Sequence, residues 1–231
     1  MIIVVANSKG GVGKSTIAVH LAGWLKERGH SVTLADCDTQ HSSSEWISEA
    51  VPDVKTVRLA TPDDILNGLP GLDAEVDYVI ADGPGSNTET SRALLLRADF
   101  AIVPCKASML EVRALAQATD VLRQAQDIRG GMPDAKIVLS MVGKNYRLTR
   151  DMKDAAAALS LPVAKTPVTL RQIYADAPGQ GVLVWNLGAR GKDAADEIGG
   201  LFRELLPDLG GRKAKKAPKA KPRGKSRKAR G

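Results

Sequence analysis

Between the apolar run Ile2 to Ala6 and a segment carrying His20, Leu21, Trp24 and Leu25 lies Ser8-Lys9-Gly10-Gly11-Val12-Gly13-Lys14-Ser15-Thr16. This order leaves few folds open: a buried strand must feed a glycine loop, and the loop must feed a helix. Three glycines let the backbone close around phosphate oxygens and turn its N–H groups inward. The following helix adds the positive end of its dipole to the same spot. Gly10, Gly11, Val12, Gly13, Lys14, Ser15 and Thr16 are therefore the candidate phosphate-binding residues. Lys14 can reach the β- and γ-phosphates, and the Ser15 hydroxyl can bind Mg²⁺. The pattern predicts a nucleoside triphosphate site.

Two further segments carry carboxylates at strand ends. Leu34-Ala35-Asp36-Cys37-Asp38-Thr39-Gln40 follows a second apolar run. Acidic groups two apart on an extended segment point the same way, so beside Mg²⁺ and a γ-phosphate one of them can orient an attacking water. Val79-Ile80-Ala81-Asp82 is an apolar run ending in a single carboxylate. That is the logic of a Walker B position, with Asp82 as the second candidate Mg²⁺ residue beside Ser15. Gly83-Pro84-Gly85 then supplies a turn whose backbone can sense the γ-phosphate.

The rest of the chain alternates strand and helix patterns. Ile2–Ala6, Ser31–Asp36, Val54–Leu59, Asp77–Ala81, Asp99–Pro104 and Lys136–Val142 read as strands, the third more exposed than the others. Helical spacing falls over Ser43–Glu49, Pro62–Leu69, Glu89–Leu96, Val112–Ile128 and Thr149–Leu159, and a last helix over Ala189–Leu206. A short segment, Pro162–Ala164, follows the fifth of these helices. Alternation at this spacing predicts one α/β domain over residues 1–206, a mostly parallel twisted sheet with helices on both faces. Ligands in such sheets sit beyond the carboxyl ends of the strands, where all three motifs fall.

The loop departs from the common P-loop pattern: Ser8 stands six residues before Lys14, and a second lysine, Lys9, stands five before it. Lys-Gly-Gly-Val-Gly-Lys-Ser-Thr resembles the deviant Walker A motif of the ParA/MinD family of dimerising ATPases. Asp36-Cys37-Asp38-Thr39-Gln40 is similar to that family's Asp-x-Asp-x-Gln segment, with Thr39 where proline is usual, and Asp82-Gly83-Pro84-Gly85 fits its Asp-x-Pro-(Pro/Gly) pattern. Ile102-Val103-Pro104 with Ser108, and Thr166-Pro167-Val168 through Arg171 and Ala175-Asp176-Ala177-Pro178, extend the likeness over roughly residues 1–206. The resemblance implies Mg²⁺-dependent hydrolysis of ATP by a homodimer that sandwiches two nucleotides. Lys9 would cross to the partner's nucleotide, and Lys9, Lys14 and Asp38 would be the catalytic set, with Asp38 orienting water. It further implies slow turnover until a ParB-like or cargo-adaptor protein accelerates it. The small size resembles the short members, which lack an operator-binding helix-turn-helix.

Charge selects among the branches of that family. The net charge is +7, yet Arg212 to Gly231 holds eleven Lys and Arg and no acidic residue, so the remainder of the chain carries −4. Residues 207–231 form a basic tail that cannot bury apolar surface and is expected to be disordered. With no large apolar residue after Leu209, the tail offers no face for membrane insertion. No run approaches the ~20 apolar residues needed to span a bilayer. No signal peptide pattern opens the sequence, and Cys37 and Cys105 make neither a disulfide framework nor a metal site. The expected location is cytoplasmic and nucleoid-associated.

A polycation gains sequence-independent affinity for nucleic acid by releasing counterions; about five tail–phosphate contacts would give a log–log salt slope near −4.5, at ~0.9 per phosphate. The candidate DNA contacts are the tail from Arg212 to Arg230 together with Lys144, Arg147 and Arg171. The sequence is thus identified as a ParA-like ATPase that binds nonspecific DNA and positions a plasmid, a chromosome or a protein assembly. A metabolic ATP-dependent enzyme on the same scaffold is the alternative, and would turn over without DNA or a protein partner.

Overall fold

The computed structural model describes residues 1–7, 9–85, 88–106, 109–143 and 162–207. Six strands, β1 (Ile2–Val5), β2 (Val32–Asp36), β3 (Lys55–Arg58), β4 (Tyr78–Asp82), β5 (Phe100–Lys106) and β6 (Asp134–Ser140), form one sheet in the order β3-β2-β4-β1-β5-β6. Every pairing among them is parallel. Seven helices are described: α1 (Lys14–Glu27), α2 (Ser42–Ala50), α3 (Pro62–Glu75), α4 (Thr88–Arg97), α5 (Met109–Ile128), α6 (Gln172–Gly179) and α7 (Lys192–Leu205).

Alternation along the central strands explains the layering. Ile3 and Val5 face one side with Leu34, Ile80, Ile102 and Val138, and there α1, α2 and α7 supply Leu21, Leu25, Ile47, Ile198 and Phe202. Ile2 and Val4 face the other side with Ala35, Val79 and Ala81, under Ile65 and Leu69 of α3 and Leu94 of α4. Strands buried on both faces need continuous apolar runs, which is what β1 and β4 are. The edge strand β3, Lys-Thr-Val-Arg, is half-exposed and carries charges at both ends, which blunts an open edge. The helix that follows it, α3, starts at a capping box, with the Thr61 and Asp64 side chains each bonded to the other's backbone N–H.

The observed elements differ from the sequence expectation at several points: α3 runs through Pro70 to Glu75, past the expected end at Leu69, β5 reaches Lys106 beyond the expected Pro104, and β6 starts at Asp134. The strand expected over Lys136–Val142 ends at Ser140, because Met141 turns into the left-handed region at φ 51°. The last helix begins at Lys192, not Ala189; a tight 3₁₀ segment over Val184–Gly191, kinked at Leu187 and Gly188, precedes it. Helix α6 was not expected at all. The short Pro162–Ala164 segment does extend the sheet locally, through a parallel bridge from Val163 to Ile137. The helix expected over Thr149–Leu159 lies outside the described residues.

Candidate functional site

Sheet register brings the three motifs together. Val5 at the end of β1 pairs with Asp82, and Asp82 pairs on its other side with Asp36. The glycine loop, the Asp36–Gln40 segment and the turn after β4 therefore leave the sheet side by side. They enclose a cleft of about 600 Å³ lined by the glycine loop, Lys14, Ser15, Thr16, Asp38, Gln40 and Gly85.

The loop is shaped by its glycines. Gly11 and Gly13 lie at φ 67° and 87°, where a side chain would be strained, and Gly13 caps the start of α1. Gly85 packs directly on the loop: a Cβ there would sit 3.1 Å from the Gly10 Cα and 3.6 Å from the Lys14 Nζ. Two side chains brace the loop from beneath. Asn7 donates through Nδ2 to the Pro104 carbonyl at 2.6 Å, and its Oδ1 accepts from the Lys9 N–H at 3.0 Å. Ser140, buried at the end of β6, donates to the Val12 carbonyl at 2.8 Å.

Lys14 is almost fully buried, and its ammonium donates to the Lys9 carbonyl at 2.8 Å. Burial lowers its pKa, and the carboxylates of Asp82 and Asp38 oppose that drop. Lys9, at the start of the loop, is exposed. Asp38 is half-buried and accepts from the Gln40 N–H at 3.0 Å, which orders its loop. Asp36 is turned away from the cleft: its carboxylate accepts from the backbone N–H groups of Asp38 and Ser44, at 3.2 and 2.8 Å. It thereby ties the Asp38 loop to the first turn of α2, an anion at a helix N-terminus.

Asp82 has a different environment. Only 1% of it is exposed, and neither carboxylate oxygen completes a hydrogen bond with the described residues. Burial pushes its pKa up to about 7, while the nearby Ser15 and Ser43 hydroxyls and Lys14 pull it down. A buried, unpaired carboxyl with a serine hydroxyl beside it is a set of oxygen donors that a hard divalent cation would complete. The residues present fit Mg²⁺, which Asp82 and Ser15 would hold.

Sequence reasoning missed Asn7, Ser140 and Met141, the last of which also lines the cleft. A single polar residue at a strand end carries no periodic signal, and Met141 is not a residue type that announces a positive φ. Arg171, expected to be a DNA contact, is engaged at home. Its Nε donates to Thr169 Oγ1 at 2.8 Å, and its guanidinium lies 3.6 and 3.7 Å from Asp193 and Glu197. Lys144, Arg147 and the tail from Arg212 to Arg230 lie outside the described residues.

A parallel sheet with a glycine loop after its first strand, a buried lysine in that loop and a buried carboxylate at a neighbouring strand end define a P-loop nucleotide-binding protein. Residues 3–184 match the model of the CobQ/CobB/MinD/ParA nucleotide binding domain, and the chain belongs to that family. It is 32% identical over 210 residues to the maintenance of carboxysome distribution protein A of Halothiobacillus neapolitanus, covering 89% of this chain and 96% of that protein. It is 27% identical over 270 residues to the chromosome partitioning protein ParA of Caulobacter vibrioides, covering 94% of this chain and 97% of that one. The fold matches a Cyanothece McdA–ATP complex with a TM-score of 0.72 at 19% identity, over 89% of this chain and 96% of that one. Among the described residues no helix is long and apolar enough to cross a membrane.

Proposed function

We propose that this chain is a positioning ATPase that pairs as an ATP-bound sandwich dimer, rides on nonspecific DNA and releases when a partner protein stimulates hydrolysis. The observation that carries the reading is the division of labour between the two loop lysines. Lys14 is buried with its ammonium bonded inside its own loop, whereas Lys9, at the start of that loop, is exposed. A cation there is placed to meet a nucleotide on a second copy, adding charge to the leaving group as a transition state requires. Within one protomer Gly10 to Thr16 cradle the phosphates, Ser15 and Asp82 hold Mg²⁺, and Asp38 on its ordered loop directs the attacking water.

The DNA contacts are assigned to the tail from Arg212 to Arg230, to Lys144 and to Arg147. Arg171 joins them only by giving up its pairs with Asp193 and Glu197. The carboxysome and chromosome relatives support a role in positioning a cargo; in this reading an adaptor protein carries the cargo, the domain over 1–206 is the switch and 207–231 a salt-sensitive anchor. Cytoplasmic, nucleoid-associated work follows from that assignment.

The test is binding of the full chain to nonspecific duplex DNA, with a slowly hydrolysed ATP analogue and with ADP, alongside light scattering for mass. Binding and dimer formation with the analogue alone support the reading, and Lys9→Ala should abolish the dimer while leaving nucleotide bound. Equal DNA binding in both states would move the contact to the tail and remove the switch.

A further inference from the structure

One cation beside the cleft has no role in the account so far. Lys106 ends β5, and its last rung pairs with Ser140 at the end of β6. In a parallel pair, opposed residues present their side chains on the same face. Both side chains of this rung are turned to the phosphate loop. The Ser140 hydroxyl bonds the Val12 carbonyl, and the Lys106 ammonium stands 3.8 Å from the point that a Cβ on Gly11 would occupy. The backbone of Lys106 is fixed by the strand pairing, and its carbonyl accepts from the Cys105 thiol. Its half-buried side chain forms no hydrogen bond or ion pair with the described residues.

That arrangement is unfavourable unless an anion is nearby. The loop N–H groups, the start of α1 and Lys14 already make this corner positive. The two neighbouring carboxylates, Asp82 and Asp38, act on Lys14. An ammonium with no partner among the described residues, set against such a loop, is repelled by it, and a polyphosphate relieves the repulsion.

We propose that Lys106 is a further phosphate-binding residue, which approaches the polyphosphate over Gly11 from the β5 side, opposite Asp82. It rests on the ATP-binding reading above and adds to it a second cation within the same protomer, distinct from Lys9. The contact is made by charge, so it favours the more anionic nucleotide. ATP should gain more from it than ADP, which makes Lys106 a contributor to discrimination between the two nucleotide states.

The experiment is titration of the full chain with a fluorescent ATP analogue and its ADP counterpart, with Mg²⁺, at several salt concentrations, for wild type, Lys106→Ala and Lys106→Arg. Lys106→Ala should bind the ATP analogue about tenfold more weakly, the loss expected for one charge-assisted contact. The ADP loss should be smaller, and the dependence of ATP affinity on salt should flatten. Lys106→Arg should keep part of the affinity, and urea unfolding of Lys106→Ala should match wild type. If wild type itself fails to bind ATP, the underlying functional reading falls. If wild type binds and Lys106→Ala has the same ATP affinity and salt slope, the Lys106 assignment alone is overturned. The same result combined with a loss of DNA binding would give Lys106 to nucleic acid instead.

Discussion

His20 sits on α1 with its ring fully buried, where Nδ1 donates to the Thr16 carbonyl at 2.7 Å and Nε2 accepts from the Val184 N–H at 3.1 Å. Trp46, Trp185 and Tyr174 surround it edge-on, with centroids 5.1, 5.4 and 5.9 Å away. Burial lowers its pKa from 6.5 to about 4, against the pull of the Thr16 carbonyl. A proton added to Nε2 would face an N–H and leave both it and Val184 unsatisfied. The unfolded chain therefore binds the proton more readily, and the stabilisation is complete above pH 6.5 and lost as pH falls toward 4. The full difference is about 3.4 kcal/mol at ~1.36 kcal/mol per unit, and about 2 kcal/mol is gone at pH 5.

Asp82 works in the opposite sense over the same window. Its folded pKa of about 7 exceeds the ordinary 3.8, so its contribution is complete below pH 3.8 and lost as pH rises through 7. Between pH 7.5 and pH 5 it returns about 2.5 kcal/mol, so the wild-type profile alone hides His20. Comparison with His20→Gln, which cannot titrate, isolates the term. In urea unfolding the lead of wild type over His20→Gln should shrink by about 2 kcal/mol between pH 7.5 and 5. A lead that stays constant across that range would refute the claim that His20 is held neutral.

Mg²⁺ should displace a proton from Asp82, so its apparent affinity in the nucleotide complex should climb up to about tenfold per pH unit from pH 6 to 7 and then level off. Titration calorimetry in buffers of different ionisation enthalpy reads the released proton; no release near pH 6.5 would take Asp82 out of the metal site. Gly85→Ala places a methyl group 3.1 Å from the Gly10 Cα and should displace the loop. Nucleotide affinity should drop about tenfold or more with stability lowered by only ~1–2 kcal/mol, and unchanged affinity would show that the turn does not press on the loop.

The core of the site was legible because its chemistry is local in the sequence. A buried strand, a glycine loop and a helix occupy consecutive residues, and Asp82 ends a run that could only be a central strand. The parallel layering followed from strands apolar on both faces. What escaped depends on contacts distant in sequence. Helix α6 holds Pro178 and has one fully buried residue, Ala177, so no apolar stripe marks it. The late start of α7 is set by Gly191, where a side chain would fall on the Val184 carbonyl, so the chain stays tightly wound before the helix opens. Ser140 and Asn7 became visible as loop braces only once β5, β6 and β1 lay together. Lys9 and Lys14 look alike in the sequence; burial separates them.

The bond from Val184 to His20 joins residues 164 apart, and Leu183 packs so closely on α1 that a Cβ at Gly23 would overlap it. A ribosome delivers α1 early and its cover late. Until Leu183, Val184 and α7 have emerged, the helix that follows the glycine loop rests only on the strands and on α2, and Trp24 and His20 lack their cover. An unfinished chain should therefore hold its phosphate cradle less firmly, so that full affinity for nucleotide arrives with the cover of α1 rather than with the motif that encodes the loop.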